Sequence, residues 1–290
     1  MRPVQPDRVY GFVIATENRQ TWKTPAIVLV AGCLISAVGF GARSGMGLFL
    51  DPMTVELGWN RETYALAMAL QNIAWGICLP IAGAAVDRYG SVWVIAGGAV
   101  IYALGFWGMA ISDTGGMLYL TGGVLSGAGI ACTSFTLAIA AMVRAVGPER
   151  RSLVMGLGTA AGSVGQIVFS PFAQGMIGQF GWSNGLLIMG ACTLCIIPLA
   201  LLLPNRPTLD EPDTIDLTLK AALGEAFRHR GYVLLTVGFF VCGFHVSFIM
   251  IHLPAYVTDL GLSGNVAAWC LALIGVFNII GSIAVGLYGQ

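Results

Sequence analysis

The chain has 290 residues, 57% of them hydrophobic and only 10% charged, with zero formal net charge and a mean hydropathy of +0.81. A water-soluble domain carries roughly a quarter of its residues as Asp, Glu, Lys and Arg. Too little polar surface is therefore present to cover a soluble globule, and no basic field is present to attract nucleic acid.

Residues 1–24 read as a polar tail on the cytosolic side, without the apolar core or cleavage site of a secretory signal. A helix needs about 20 apolar residues to cross a bilayer, and eight stretches qualify. They are Pro25–Leu50, Thr63–Val86, Val92–Ser112, Gly116–Met142, Ser152–Gly178, Trp182–Leu203, Tyr232–Tyr256 and Asn265–Tyr288. The predicted class is all-α and polytopic, with the first six helices in a bundle over 25–203. Residues 232–290 begin a second bundle. Glycine, proline and charge mark the joints, as at Leu50-Asp51-Pro52 and Pro204-Asn205-Arg206-Pro207. Most links are short, so successive helices run antiparallel.

The long link, 204–231, opens acidic (Asp210, Glu211, Asp213, Asp216) and continues as an amphipathic run from Leu217 to Arg230. Leu219, Leu223 and Phe227 recur every four residues, which suits a helix lying on the cytosolic surface. A loosely ordered linker is the alternative.

Positive charge sets the expected orientation, because Lys and Arg are retained on the cytosolic side. With the N-terminus inside, Arg2, Arg8, Arg19, Lys23, Arg88, Arg144, Arg150, Arg151, Arg206, Lys220, Arg228 and Arg230 all fall on that side. Of the 14 Lys and Arg, only Arg43 and Arg61 fall toward the other.

The seven cysteines lie in apolar stretches and form no disulfide framework. Cys192 and Cys195 make a CxxC without a second ligand pair, which reads as packing rather than zinc. No metal site and no cofactor is expected.

Displacing the chain by 203 residues lays Leu50 on Leu253, Leu57-Gly58 on Leu260-Gly261, Ala69-Leu70 on Ala272-Leu273, Ile77 on Ile280 and Gly83 on Gly286. Glu56 meets Asp259 and Ser44 meets Ser247. Helices one and two thus repeat as seven and eight, in the same orientation, which is a parallel six-helix repeat.

The loop Gly83-Ala-Ala-Val-Asp87-Arg88-Tyr-Gly90 resembles the cytosolic signature of the major facilitator superfamily. That resemblance implies a gating role for Gly83, Asp87, Arg88 and Gly90: a glycine for close helix contact and a charge cluster that latches one conformation and releases in another. Ser91 and Val92 replace the basic pair that usually follows. Gly158-Thr-Ala-Ala-Gly162-Ser-Val-Gly165-Gln166 is similar to the superfamily's glycine-rich fifth helix, with Gly158 and Gly162 spaced for close packing.

Three further stretches look like a bacterial branch related to monocarboxylate and oxalate/formate porters. They are Arg43–Met53 with Gly58-Trp59, Ala69–Asn72 with Trp75-Gly76, and Phe239–His245 running on through His252–Tyr256. Carboxylate porters of that branch carry an arginine in helix eight, where this chain has Asn278 as the central polar residue. The superfamily has twelve helices, so the chain reads as truncated after the eighth.

Intramembrane ionisable groups are functional candidates by default. Arg43 in helix one and His245 and His252 in helix seven are the candidates. The repeat lays Arg43 on Val246, beside His245, so both cations are expected at similar depth, suited to an anion between the halves. His245 is also the expected proton carrier, since histidine titrates near neutral pH. Gln71, Asn72, Thr133, Gln166 and Asn278 complete the candidate substrate-binding set, each able to bond a solute or simply to join helices. For His245 the bland alternative is a tie between helices, and for Arg43 it is snorkelling to interfacial water.

The expected function is secondary active transport of a small solute, most simply an organic anion such as a monocarboxylate with a co-transported proton. The expected carrier is monomeric among lipids of the cell inner membrane. Efflux of amphipathic compounds and a non-transporting receptor are the alternatives. The chain has no P-loop, no HExxH and no pair of intramembrane aspartates, so neither a primary pump nor an intramembrane enzyme is expected.

Overall fold

The computed structural model describes residues 24–205 and 219–288, and every regular element among them is helical. The predicted tail and the acidic part of the link lie outside the described residues. Thr24 starts α1 (Pro25–Ser44): its hydroxyl accepts from the Ile27 amide, and Pro25 occupies the first turn, where its missing N–H costs nothing.

The expected joint at Leu50-Asp51-Pro52 is not a joint. The chain passes through a 3-10 turn (Met46–Phe49) into α2 (Leu50–Leu57), with Pro52 in the first turn of α2 and tolerated there. The break comes at Gly58, which caps α2 at φ +65°, a left-handed conformation that favours glycine.

Next come α3 (Arg61–Tyr89) and α4 (Ser91–Ala110). The predicted fourth helix is broken rather than continuous. It comprises α5 (Gly115–Leu118), a π-helical stretch (Tyr119–Leu125), α6 (Ser126–Cys132) and α7 (Phe135–Val146). Between α6 and α7, Ser134 adopts an extended conformation.

Helices five and six run together as α8 (Arg151–Leu194), continued by α9 (Ile196–Ala200). A straight helix over the 50 residues Arg151–Ala200 would measure about 75 Å, more than twice the roughly 30 Å hydrocarbon core. Gly181, at φ 80° and ψ 167°, turns the corner that makes two crossings of it. Among the described residues, seven helices are long and apolar enough to span a membrane, so with this corner the eight predicted crossings stand. The amphipathic α10 (Leu219–Arg228) precedes α11 (Arg230–Asp259) and α12 (Gly264–Tyr288).

In lipid, helices gain little from hydrophobic burial and associate through close van der Waals contact and hydrogen bonds. Glycine provides that contact here, at Gly158 of the predicted pair and at positions beyond it. Gly158 faces Ile139 and Met142 of α7, and Gly162 is only in ordinary contact with Phe40. The tightest approach is Gly165 of α8 on α1, where an added Cβ would stand 1.8 Å from the Ala37 carbonyl oxygen. A second seam joins α8 to α12 over most of their length: Gly156 meets Gly286 and Ser282, Ser163 meets Gly275, and Gln174 meets Gly264.

Gly165→Ala is expected to separate α1 from α8 and destabilise the bundle by about 1–3 kcal/mol, the usual cost of overpacking. Gly175→Ala, with nothing within 4 Å of its Cβ, is the control. Thermal midpoints of the two purified variants in detergent measure the difference.

Candidate functional site

α1 delivers one arginine into the interior. Arg43 is 8% exposed and does not snorkel to the surface. Its Nη2 donates to Asn72 Oδ1 of α3 at 2.6 Å and to Ser247 Oγ of α11 at 3.4 Å. Ser247 Oγ in turn donates to Asn72 Oδ1 at 3.3 Å. The guanidinium lies over the Trp75 ring, 4.8 Å from its centroid, a cation–π contact that strengthens as water is removed.

Asn72 reaches the arginine because its own Nδ2 is anchored on the Met68 carbonyl, 2.8 Å away. Arg43 Nε is buried and has no hydrogen-bond partner. Beside it lies a cavity of about 10 Å³ bordered by Met46, Gly47, Met68, Gln71, Ser247 and Met250, among others, room for about one water.

The other expected substrate-binding groups are dispersed. Gln71 borders the cavity, but its amide nitrogen is taken by the Gly122 carbonyl at 2.9 Å. Gln166 donates to the Leu271 carbonyl at 2.7 Å and joins α8 to α12, leaving its buried Oε1 unpartnered. Thr133 turns back on the Gly129 carbonyl at 2.9 Å, at the break in the fourth crossing. Asn278 is exposed in a groove of about 440 Å³ between α8 and α12, with Ser152, Thr159, Phe277 and Ser282.

His245 is not brought to Arg43. Its ring is exposed, with Nδ1 2.8 Å from the Val241 carbonyl of its own helix. The expectation placed the cations at similar depth, facing an anion between the halves; the helical period instead turns Ser247 inward, two residues further along. The His252 ring lies tilted against Phe248, centroids 4.8 Å apart, and Tyr256 is exposed.

At the Gly58 end the first six helices and α11 touch directly. Gly47 meets the α11 backbone so closely that a Cβ would clash with the Met250 carbonyl. Arg61 makes a bidentate pair with Asp259, Nη1–Oδ2 2.6 Å and Nη2–Oδ1 2.7 Å, and reaches Asp51 at 3.0 Å. Thr258 donates to Asp51 as well. The opposite end carries the segment 83–90, which is not the expected loop: residues 83–89 form the last turns of α3, and the chain turns only at Gly90. Gly83 has nothing within 4 Å of a built Cβ, so the close contact expected of it is absent. Asp87 and Arg88 are exposed, the latter against Tyr89.

Gly90, at φ +86°, makes a turn suited to glycine. The Asn205 carboxamide then accepts from the Val92 amide at 3.2 Å, while Ser91 donates to the Pro204 carbonyl at 3.1 Å. The residues that replace the missing basic pair thus dock the turn on the end of the sixth crossing.

Ser247, Trp75, the Arg61–Asp259–Asp51 cluster and Asn205 were missed as site residues by sequence reasoning. Two of them left a trace: the repeat paired Ser44 with Ser247 and Glu56 with Asp259.

The family model of the Major Facilitator Superfamily matches residues 32–290. Monocarboxylate transporter 11 of Mus musculus is 27% identical over 261 residues, covering 90% of this chain and 58% of that protein. Monocarboxylate transporter 13 of Bos taurus is 26% identical over 271 residues, covering 91% and 61%. The chain therefore spans about three fifths of the length of these relatives. Among solved structures, the nucleoside transporter NupG superposes with a TM-score of 0.63 at 15% identity, covering 88% of this chain and 64% of that one. A D-xylose–proton symporter superposes with a TM-score of 0.59 at 17% identity, covering 90% and 67%. At that identity the likeness is one of fold.

Asn205→Ala removes the acceptor for the first turn of α4 and should cost about 1 kcal/mol, the usual value of a lost helix cap. A lowered thermal midpoint, with the folded yield retained, is the expected result.

Proposed function

Given that the chain belongs to the major facilitator superfamily, we propose that it serves secondary transport of a small organic anion, most simply a monocarboxylate. The observation that carries this reading is Arg43, a guanidinium held at membrane depth with a buried, unpartnered Nε beside a cavity shared by the two repeats. A carboxylate is the natural partner of a planar guanidinium in a dry site. The names of the monocarboxylate transporter relatives point the same way.

Transport proceeds by rocking of the 25–203 bundle against the half that begins with α11 and α12. The long α8–α12 seam is the pivot. Positive charge places the Gly90 end in the cytosol and the Gly58 end outside. The end held closed by Gly47–Met250 and the Arg61–Asp259–Asp51 cluster is then the outer one.

That cluster is about half exposed, with Arg61 at 49% and Asp259 at 52%, so solvent screens it and the latch opens easily. Asp87, Arg88 and Gly90 form the complementary cytosolic gate. A proton travels through His245. A carbonyl only accepts, so Nδ1 carries the hydrogen toward Val241 and Nε2 is left as the basic atom. The carrier acts as a monomer in the inner membrane.

A second reading, efflux of amphipathic compounds, draws on the groove at Asn278. It is uncharged and lined by Met155, Phe277 and Val285 together with hydroxyls.

Uptake of radiolabelled benzoate by protein in liposomes separates the two. Arg43→Gln should reduce uptake about tenfold or more, the value of a charge-assisted hydrogen bond. His245→Ala should remove acceleration by an inward proton gradient. Uptake indifferent to both substitutions and inhibited by tetraphenylphosphonium would favour efflux chemistry.

The latch gives a separate test. With a cysteine at Ile251 in a cysteine-free background, Arg61→Gln should hasten its labelling by an impermeant reagent from the outside. An unchanged rate would remove Arg61 from the gate.

A further inference from the structure

We propose that Asn72 is a tethered ligand for Arg43: its side-chain oxygen holds the place of a substrate carboxylate oxygen, and Ser247 is the second donor that the substrate inherits. The assignment rests on the reading of Arg43 as an anion site. Two donors from opposite sides of the interface converge on Asn72 Oδ1, Arg43 Nη2 at 2.6 Å from α1 and Ser247 Oγ at 3.3 Å from α11. The amide orientation follows from its other end, because the Met68 carbonyl 2.8 Å from Nδ2 can only accept. An oxygen receiving a guanidinium and a hydroxyl is in the environment a carboxylate oxygen would occupy.

The space agrees with this occupancy. The cavity beside Arg43 is about 10 Å³, enough for about one water and too small for a carboxylate. An arriving anion must therefore displace the Asn72 oxygen from Nη2. It can do so because a carboxylate offers the guanidinium an opposite charge and two oxygens in fork geometry, where the amide offers one neutral oxygen. Trp75 keeps the guanidinium plane fixed during the exchange.

Arg43 and Asn72 belong to one half and Ser247 to the other. The same three side chains therefore link the halves when solute is absent, sparing the empty carrier a buried arginine with no acceptor at all. Asn72 competes with solute and lowers its apparent affinity, while Ser247 raises it. Asn72 and Ser247 are in this sense positioning residues with opposite signs.

Benzoate binding to the purified 290-residue chain, followed by its thermal midpoint and by equilibrium titration, tests the assignment. Asn72→Ala and the volume-retaining Asn72→Leu should both bind benzoate about three- to tenfold more tightly, as the competing hydrogen bond is lost. Ser247→Ala should bind it about threefold or more weakly.

Asn72→Asp should raise the midpoint without benzoate and abolish the further rise that benzoate gives, because the site then carries its own anion. A merely structural role for Asn72 predicts a lower midpoint and weaker binding in all three variants at that position, and would overturn the assignment. Unchanged affinity in Asn72→Ala and Asn72→Leu would overturn it too. If Arg43→Gln binds benzoate as well as the parent chain does, the anion-site reading itself is what fails.

Discussion

The cost of holding a guanidinium away from water organises the centre of this protein. An unpaired cation in a low-dielectric interior is expensive, and a protein tolerates one only where hydrogen bonds and polarisable groups replace water. Arg43 meets that condition incompletely: an amide oxygen and a hydroxyl on Nη2, an indole face beneath, and nothing on Nε. The deficit is modest enough for the fold to sustain. It also means that a carboxylate entering the site finds a donor already desolvated and oriented, so less of its binding energy goes into rearranging the protein.

Glycine placement determines where the halves can approach and where they must stay apart. Gly165 brings α8 against the α1 backbone, and Gly47 brings the turn after α1 against the α11 backbone. Gly156, Gly275 and Gly286 let α8 and α12 run in contact. The first lies within the 25–203 bundle and holds it together; the third runs between the halves along small residues and is suited to rolling with little change in packing. The second is confined to one end. A backbone contact there, with the ion cluster around Arg61, closes that end without locking the whole interface.

Crossings and charge bias were legible because lipid imposes a length and a composition on every span. The joint within α8 was legible for the same reason, with Gly181 between two apolar runs. The breaks inside the first and fourth crossings were not. Leu50-Asp51-Pro52 has the composition of a loop, yet proline is harmless in a first helical turn, and tertiary contacts continue the helix to Leu57. Nothing around Thr133-Ser134 signals an extended residue between α6 and α7. Arg43, Gln71 and Asn72 could be found because polar groups are rare at that depth. Ser247 could not be singled out among many serines until the fold placed α11 across Arg43. His245 was favoured by chemistry, but its direction depends on helix rotation, which neighbours that are apolar on nearly every face (Phe239 to Phe248, Ser247 apart) do not specify.

The two ends of the molecule use different physics, a difference that would suit the alternating opening proposed above. At the Gly58 end the link between halves is electrostatic and about half exposed, with Arg61 shared between Asp51 of its own bundle and Asp259 of α11. When α11 withdraws, Asp51 still neutralises Arg61, and the Asp259 that is released is already half exposed to solvent, so the barrier to opening stays low. Near Arg43 the link is buried and made of hydrogen bonds, where losing an acceptor is costly. An empty site therefore resists separation more than a screened surface pair does. On the proposed function, a solute that supplies its own acceptor to Arg43 would reduce that resistance, and occupancy of the centre, rather than the charges at the rim, would decide when the halves move.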